Sequence, residues 1–266
     1  MLPEDQRDRL KTDHIEVVLV SPRNPLNIGA AARAMANFGF ARLTVVAPYE
    51  PHWREAKSAV GAEKLLENAR LSPSLAASVA ASTLVVGTGT VERRKPEQTV
   101  VALPDLAPLI REELERGGRL SLVFGPEKHG LTRDDLALCH LLVEIPTDPE
   151  QPSMNLGQAV AVCLYELSSR LSARTQAPAH LSSAAPTAAA RPVSAHLDML
   201  AEVIQQTMVA SRYSPSTMAA ANAQDLRLLL RRLALNDGDA RRILGLFRRI
   251  LWRLRHEGSV NRNHEK

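Results

Sequence analysis

Two segments in the first third of the chain place polar side chains beside small residues, a combination that favours ligand binding. The first is Ser21–Arg33, in which Asn27 lies at the start of a predicted helix and Arg33 follows about two turns later. The second is Gly87-Thr-Gly-Thr90, whose small residues would let a ligand approach the backbone closely. Both segments follow predicted strands, which makes them candidate parts of one site.

Two later segments have the same character. Phe124-Gly-Pro-Glu-Lys-His-Gly130 is a short loop with glycines near both ends. The stretch Ile145–Leu156 brings Ser153 and Asn155 to the N-terminus of a long predicted helix. Ligands of parallel α/β sheets bind beyond the carboxyl ends of the strands, so all four segments are expected at the same edge of a sheet.

Each segment on its own also has a purely structural interpretation. Ser153 and Asn155 are good helix N-caps, and Arg33 could be a surface charge. The Gly-Thr-Gly-Thr turn is not followed by the Gly-Lys-Ser/Thr of a phosphate-binding loop, and no G-x-G-x-x-G opens the first helix. The eight histidines show no metal-ligand spacing, so no metal site is predicted.

The elements that must position these segments alternate between strands and helices. Short apolar runs predict strands at 15–20, 43–47, 84–86, 120–124 and 142–145. Helical patterns predict helices at 28–38, 63–70, 74–81, 106–116, 132–138 and 155–170. Such apolar strands separated by helices favour an α/β fold, a doubly wound parallel sheet with helices on both faces. The last helix is apolar almost all round and is expected to be buried against the sheet or in a subunit interface.

The composition changes after residue 172. Residues 173–193 are rich in Ala, Ser, Pro and Thr without an amphipathic period, which predicts a flexible linker. The linker would join a domain at 1–172 to a helical, basic extension at 194–266. In the extension, Ser194 is a predicted N-cap, and Asn236-Asp-Gly238 is expected to end a leucine-rich helix. Three helices form a small core, so the extension is expected to lean on the main domain or on a second subunit.

The final helix, predicted at 239–255, separates apolar from basic residues. Its apolar face is expected to hold Ile243, Leu246, Phe247, Ile250, Leu251 and Leu254. Its other face, called the arginine face below, holds Arg241, Arg242, Arg248, Arg249, Arg253 and Arg255.

Positive charge is concentrated at the C-terminal end of the chain. The net charge is +4, yet residues 1–190 carry a net charge of −2 and residues 191–266 one of +6. A basic extension favours a polyanionic partner such as nucleic acid, although 27 of the 33 basic residues are arginine, which also fits a coding bias. We expect the arginine face and the Arg93-Arg-Lys95 loop to supply phosphate contacts, and a solvated helix face is the alternative.

The chain offers no apolar run of 18 residues, so no membrane helix is predicted. Its start is charged where a signal peptide would be apolar. The two cysteines, Cys139 and Cys163, have no C-x-x-C partner, so neither a disulfide framework nor a zinc site is predicted. These features predict a cytoplasmic protein.

Taken in order, the polar segments resemble the three motifs of the SpoU branch of the SPOUT RNA methyltransferases. The resemblance rests on Asn27 with Gly29–Arg33, on Phe124–Glu127 with Gly130, and on Ile145-Pro146 followed by Ser153-Met-Asn155. It covers about residues 14–170. It implies a sheet whose C-terminal part forms a trefoil knot, a bound S-adenosylmethionine, and a homodimer.

The resemblance also implies the residues of the site. Those expected to bind S-adenosylmethionine are Thr88, Gly89, Thr90, Gly125, Pro126, Glu127, Gly130, Leu131, Ile145, Pro152, Ser153 and Met154. Those implied for catalysis are Arg33, Asn27, Glu127, Ser153 and Asn155. We expect Arg33 to bind a phosphate or a developing alkoxide, because a guanidinium with a pKa above about 12 is a poor base. Asn27 would hold Arg33 or the ribose, and Glu127 would pair with Arg33 within the site or across the dimer.

Within the family, the C-terminal extension and the stretch Val85–Arg93 look most like enzymes that methylate the 2′-hydroxyl of nucleotide 32 in the tRNA anticodon loop. This predicts a tRNA ribose 2′-O-methyltransferase. One alternative keeps the reaction and moves it to another tRNA site or to ribosomal RNA. The other is a catalytically inactive RNA-binding protein of the same fold, against which the joint presence of the five implied catalytic residues argues.

Overall fold

One sheet of seven strands forms the centre of the protein. A computed structural model describes residues 12–89, 96–172 and 190–260. The strands are β1 (Ile15–Val20), β2 (Arg42–Val46), β3 (Arg70–Ser72), β4 (Leu84–Thr88), β5 (Thr99–Ala102), β6 (Leu120–Phe124) and β7 (Leu141–Glu144). Their order is β3-β2-β1-β6-β4-β7-β5, and every neighbouring pair is parallel. The predicted parallel sheet is confirmed.

Helices cover both faces of the sheet, as the apolar strands predict. They are α1 (Pro25–Asn37), α2 (Glu63–Glu67), α3 (Leu75–Val79), α4 (Leu103–Glu115), α5 (Arg133–Leu136), α6 (Leu156–Ser172), α7 (Ser194–Ala210), α8 (Ala219–Arg232) and α9 (Asp237–Val260). One apolar core lies between the sheet and α1, α4 and α6, and includes Ile28, Ile110 and Leu164. A smaller core on the opposite face includes Val79 of α3 and Cys139. The capping box of Thr132 and Asp135 is present at the start of α5, as predicted.

The strand order brings three chain segments to one edge of the sheet. Strand β6 lies between β1 and β4, and β7 lies between β4 and β5, although both come later in the sequence. The loops that leave β4, β6 and β7 therefore emerge side by side at the carboxyl edge. The trefoil knot implied by the family resemblance stays a prediction, and this strand order is compatible with it.

Sequence patterns miss the two edge strands, β3 and β5. The predicted helix at 63–70 is wrong at its end, because α2 stops at Glu67 and Arg70 begins β3. The Arg70 side chain donates hydrogen bonds to Thr44 on β2 and to Glu16 on β1. These contacts are distant in sequence, so a local helical pattern does not reveal them.

The helices α7, α8 and α9, called the C-terminal helices below, have a small core of their own and pack on the sheet domain. The backbone N–H and the hydroxyl of Ser194 both donate to the Ser82 carbonyl, at 2.9 and 3.0 Å. The buried guanidinium of Arg231 donates to the Leu138 carbonyl at 3.0 Å and to Asp198 at 2.9 Å. The extension therefore leans on the main domain, as its size predicts.

The end of the predicted linker is held in place. Arg191 forms an ion pair of 3.1 Å with the buried carboxylate of Glu113, and the Ala190 carbonyl accepts a hydrogen bond from the Asp237 N–H. Residues 173–189, the rest of the predicted linker, lie outside the described residues.

Two capping predictions for the C-terminal helices are wrong. Ser194 is the first residue of α7 rather than its N-cap, and its hydroxyl binds Ser82 in another part of the fold. Asn236 does not end the preceding helix, because α8 stops at Arg232. Its side-chain oxygen instead accepts a hydrogen bond of 2.8 Å from the Asp239 N–H at the start of α9.

The predicted apolar face of α9 is too broad. Leu244 and Leu251 are buried, but Leu246 is 58% exposed and Ile250 is 37% exposed. The helix packs mainly on α7, a single partner that covers a narrow stripe. All six members of the arginine face are exposed, as predicted. No helix among the described residues has the length and hydropathy to cross a membrane.

Candidate functional site

A cavity of about 390 Å³ opens at the carboxyl edge, where the loops after β4, β6 and β7 meet. The residues expected to bind S-adenosylmethionine form much of its lining: Thr88, Gly89, Gly125, Pro126, Glu127, Gly130, Leu131, Ile145, Pro152, Ser153 and Met154. Thr90 was expected there too and lies outside the described residues, as does the Arg93-Arg-Lys95 loop. The structure therefore brings segments more than 60 residues apart to one cavity.

Two glycines fix the shape of the loop after β6. A Cβ atom on Gly125 would lie 2.3 Å from the backbone nitrogen of Leu131, so only glycine allows the two ends of the loop to approach this closely. Gly130 has a φ of +63°, and its N–H donates to the Pro126 carbonyl at 2.8 Å. The loop thus closes on itself and presents backbone groups to the cavity.

Apolar side chains and fixed hydroxyls complete the lining. Leu131 is buried, and Ile145 and Met154 are half-buried. The Thr88 hydroxyl is held by the Val123 carbonyl at 3.0 Å, and the Thr147 hydroxyl by the Pro152 carbonyl at 3.4 Å. A flat ring with polar edges would fit against this part of the lining, because the side chains there are apolar and the backbone supplies donors and acceptors.

Beside the cavity, three side chains form a continuous hydrogen-bond chain, called the Asn27 cluster below. The Asn27 amide donates to a carboxylate oxygen of Glu127 at 2.7 Å and accepts from the Asn155 amide at 2.9 Å. The Asn155 side-chain oxygen also caps α6 by accepting from the Gly157 N–H at 2.9 Å. A Cβ on Gly157 would lie 2.7 Å from that of Ala30, so this glycine lets α6 approach α1 and brings the two asparagines together.

Glu127 accepts three hydrogen bonds from the start of α1. Besides Asn27, the backbone N–H groups of Arg23 and Asn24 donate to its carboxylate, at 3.1 and 3.2 Å. Partial desolvation raises the pKa of Glu127, but the hydrogen bonds from Asn27 and the backbone outweigh it and leave the pKa below its ordinary value. Glu127 is therefore an ionised acceptor rather than a proton donor near neutral pH.

Arg33 does not join the Asn27 cluster. Its side chain is exposed on α1 and, within the part of the chain that the structure describes, makes no hydrogen bond or ion pair. The expectation that Asn27 holds Arg33 is wrong for a single chain, because both ends of the Asn27 amide already bind Glu127 and Asn155. The pairing of Glu127 with Arg33 within one chain is wrong as well, because the carboxylate binds the start of α1 instead.

Sequence reasoning missed Asn24. It caps α1 by accepting from the Leu26 N–H at 3.0 Å, while its own N–H binds Glu127. The signal was present, because Asn followed by Pro is a typical start of a helix. Among the described residues, no group of three or more His, Cys, Asp or Glu side chains is arranged to hold a metal ion.

Residues 14–165 match the model of the SpoU rRNA methylase family. Among curated proteins, the chain is 41% identical over 156 residues to a tRNA (cytidine/uridine/adenosine-2′-O-)-methyltransferase, TrmJ, of Pseudomonas aeruginosa, a match covering 58% of this chain and 60% of the relative. It is 38% identical over 156 residues to an uncharacterised tRNA/rRNA methyltransferase, LasT, of Escherichia coli, covering 58% of this chain and 67% of the relative.

Among solved structures, TrmJ from Z. mobilis ZM4 superposes with a TM-score of 0.74 at 30% identity, covering 88% of this chain and 98% of that one. A probable methyltransferase from Bordetella pertussis superposes with a TM-score of 0.56 at 30% identity, covering 61% of this chain and 99% of that one. The first similarity extends beyond the sheet domain, because it covers more of the chain than residues 14–165.

The matched part of the chain spans about 60% of the Pseudomonas aeruginosa relative. The family resemblance predicted from the three motifs is confirmed, since the family match includes all of them. With more than half of its residues in that match, this chain belongs to the SpoU rRNA methylase family.

Proposed function

We propose that this protein is an S-adenosylmethionine-dependent tRNA ribose 2′-O-methyltransferase that acts at nucleotide 32 of the anticodon loop. The observation that carries the proposal is the position of the Asn27 cluster beside a cavity built from backbone loops. The cavity suits a small cofactor, and the cluster supplies amides and a carboxylate that can orient a sugar. The names of the relatives support the same reaction class.

The lining fits S-adenosylmethionine. The Gly125–Leu131 loop would hold the cofactor from one side and Ile145 with the Pro152–Met154 segment from the other, through backbone groups and apolar contact. When bound, S-adenosylmethionine supplies a methyl group on a sulfonium, which is already a good leaving group. The protein's task is therefore to orient the attacking 2′-hydroxyl and to assist the loss of its proton.

The Asn27 cluster is suited to orientation. Because Asn27 is held at both ends, its amide has a fixed direction, and it fixes Asn155 and Glu127 in turn. Ser153 lies two residues from Asn155 and lines the cavity, so its hydroxyl can bind the ribose or the cofactor. The cluster carries one negative charge and two neutral amides, which can bind a sugar hydroxyl without repelling the adjacent phosphate strongly.

We assign to Arg33 the role of binding the phosphate next to the target ribose or stabilising the developing alkoxide. Because Arg33 is exposed in the single chain, we propose a homodimer in which Arg33 lies next to the cofactor cavity of the partner subunit. Exposed apolar side chains on α1 and α6 support that proposal: Leu26 is 54% exposed, Val162 37% and Tyr165 59%. Such residues on adjacent helices are typical of a protein interface.

The C-terminal helices would provide the affinity for tRNA. The sheet domain has no excess of basic residues, whereas the arginine face of α9 is exposed along its length. We propose a division into a methyltransferase domain at 1–172, a linker at 173–193 and a helical extension at 194–266, and a location in the cytoplasm with the cell's tRNA. Another tRNA or rRNA nucleotide is the alternative target, and the name of the Escherichia coli relative includes both kinds of RNA.

The test is to incubate the protein with methyl-labelled S-adenosylmethionine and total tRNA and rRNA, and then to map the labelled nucleotide. We expect label at the 2′-hydroxyl of nucleotide 32 in tRNA. Label at another nucleotide would select the alternative target, and no label in any RNA would overturn the proposed activity.

Arg33→Ala should abolish transfer and leave the Kd for the cofactor unchanged by calorimetry. Arg42→Ala is the matched control, because Arg42 is another exposed arginine but lies at the opposite edge of the sheet, at the start of β2. Unchanged turnover in the Arg33 variant would remove Arg33 from the site.

A further inference from the structure

An exposed aromatic residue lies at the same edge of the sheet as the Asn27 cluster. Tyr49 follows β2 and is 68% exposed, and its hydroxyl has no hydrogen-bond partner among the described residues. The Arg23 guanidinium lies over its ring, 5.3 Å from the ring centroid. A ring with a cation over it presents a flat apolar surface and a positive charge in the same place.

Backbone hydrogen bonds link Tyr49 and Arg23 to the Asn27 cluster. The Arg23 N–H donates to Glu127 at 3.1 Å, and the Tyr49 N–H donates to the Pro22 carbonyl at 3.1 Å. Tyr49 is therefore linked through residues 22 and 23 to the carboxylate that binds Asn27. A ligand lying on the ring would extend from the region in which the target sugar is proposed to bind.

The backbone that places the pair adopts an unusual conformation. Ser21, after β1, has a φ of +45°, and Ala47, after β2, has a φ of +42°. These are two of the four non-glycine residues with positive φ in the described ranges. Each of the two residues is held by a hydrogen bond to the neighbouring strand. The Ser21 N–H donates to the Val46 carbonyl at 2.8 Å, and the Ala47 N–H donates to the Ser72 carbonyl at 3.3 Å. Such strain persists where the surrounding structure enforces it, often at functional sites.

A second cation–aromatic pair shows what a purely structural pair looks like here. Arg54 lies 4.2 Å from the ring centroid of Trp53, but Trp53 is only 1% exposed and belongs to the core. Arg54 is also bound to the Ala69 carbonyl at 2.9 Å. Tyr49 contributes nothing comparable to the core, so folding does not explain its position.

We infer that Tyr49 and Arg23 form a binding platform for an unpaired base of the RNA substrate, next to the nucleotide whose ribose is methylated. The ring would stack on the base, and the guanidinium would bind its phosphate. The inference rests on the proposed function, because the base belongs to the RNA being methylated.

The test compares Tyr49→Ala and Tyr49→Phe with wild type in methylation of tRNA. We expect Tyr49→Ala to raise the KM for tRNA about 10-fold or more, with kcat and the Kd for S-adenosylmethionine little changed, because a stacked base is lost. Tyr49→Phe keeps the ring and should remain near wild type. Tyr213→Ala is the matched control, since Tyr213 is 81% exposed but lies between α7 and α8. Equal KM values for Tyr49→Ala and wild type would overturn the platform.

Binding of a fluorescent anticodon stem-loop RNA, measured by anisotropy, separates this inference from the proposed function. If the wild type transfers no methyl group but binds the loop RNA more tightly than Tyr49→Ala, the activity fails and the platform stands. If the wild type is active and both proteins bind equally, the platform alone fails. Equal melting temperatures for the two proteins would show that the substitution acts on binding, as expected for an exposed ring.

Discussion

The Asn27 cluster and the arginine face of α9 are both proposed to bind RNA, but they are built on opposite physical principles. In the cluster, each side chain is held by partners that are distant in sequence: Asn27 bridges Glu127 and Asn155, which lie 100 and 128 positions away. On α9, Arg255 donates to Gln206 on α7 at 2.9 Å, whereas other arginines have partners that are close in sequence. Arg241 and Arg242 pair with Asp237 and Asp239 on the same helix.

This difference assigns the two regions different tasks: the cluster positions the target sugar, and α9 provides affinity for the RNA. A fixed hydrogen-bond chain can orient a sugar hydroxyl, because its geometry survives without the ligand. Exposed arginines along a helix are less suited to orienting a reacting atom, yet they can bind a phosphate backbone and raise affinity through charge. Substitutions in the cluster and its loops should therefore alter the rate of methyl transfer or the Kd for the cofactor. Substitutions on α9 should instead alter the salt dependence of tRNA binding.

Of the substitutions that test this comparison, Gly125→Ala in the loop beside the Asn27 cluster is expected to have the largest effect. The added Cβ would lie 2.3 Å from the Leu131 nitrogen, so the loop must open and the cavity must change shape. Overpacking of this kind costs about 1–3 kcal/mol, and a loss of that size in the cofactor loop corresponds to a roughly 5- to 150-fold weaker Kd for S-adenosylmethionine by calorimetry. Gly245→Ala is the control, because its Cβ position on α9 has no described atom within 4 Å apart from its chain neighbours and the backbone of its own helix. A wild-type Kd in the Gly125 variant would show that this loop does not shape the cofactor site.

A smaller effect is expected on α9. Arg248 contacts the Met199 sulfur and Arg249 lies over the Trp252 ring, and neither forms an ion pair with a described residue. Replacing both by Gln should weaken tRNA binding and lower the slope of log K against log salt by about 1.5, if each arginine binds one phosphate.

The matched control for α9 replaces Arg241 and Arg242 by Gln. These arginines are already paired with Asp237 and Asp239, at 2.7 and 3.2 Å, so their loss should change the slope less. Titrations at several salt concentrations measure both variants. Slopes equal to that of wild type in both double variants would mean that the arginine face is only solvated surface.

The central strands were predictable from sequence, and the edge strands were not. Strands β1 and β6 have the predicted bounds, because buried parallel strands are continuous apolar runs bounded by polar residues. The three-residue β3 is exposed at Leu71, and β5 is exposed at Val100, so neither carries that pattern. Their pairing depends on contacts with β2 and β7 that local sequence does not encode.

The composition of the site was predictable because motifs preserve residue types, but the partners of its side chains were not. The residues expected around the cavity line it, apart from Thr90 outside the described ranges. Local sequence gives no direction for the Asn27 amide, which turns to Glu127 and Asn155 rather than to Arg33. That direction is set by the approach of α1 to α6 at Gly157, a packing contact between elements more than 100 residues apart.

The smallest effect is expected when the Asn27–Glu127 contact is weakened, either by substitution or by low pH. The pH dependence of the melting temperature measures how far the cluster depends on an ionised carboxylate. Hydrogen bonds hold the pKa of Glu127 below its ordinary value of 4.5, so the contact stabilises the fold above that pH and weakens as the pH falls through the lower, folded-state pKa. The melting temperature of wild type should exceed that of Glu127→Gln at pH 7 by about 2 °C or less, because the carboxylate is partly exposed. The difference should close as the pH falls below 4.5 and through the lower, folded-state pKa. In a double-mutant cycle with Asn27→Ala, the coupling between the two residues should fade over the same range, and a coupling independent of pH would show that the amide binds the neutral acid equally well.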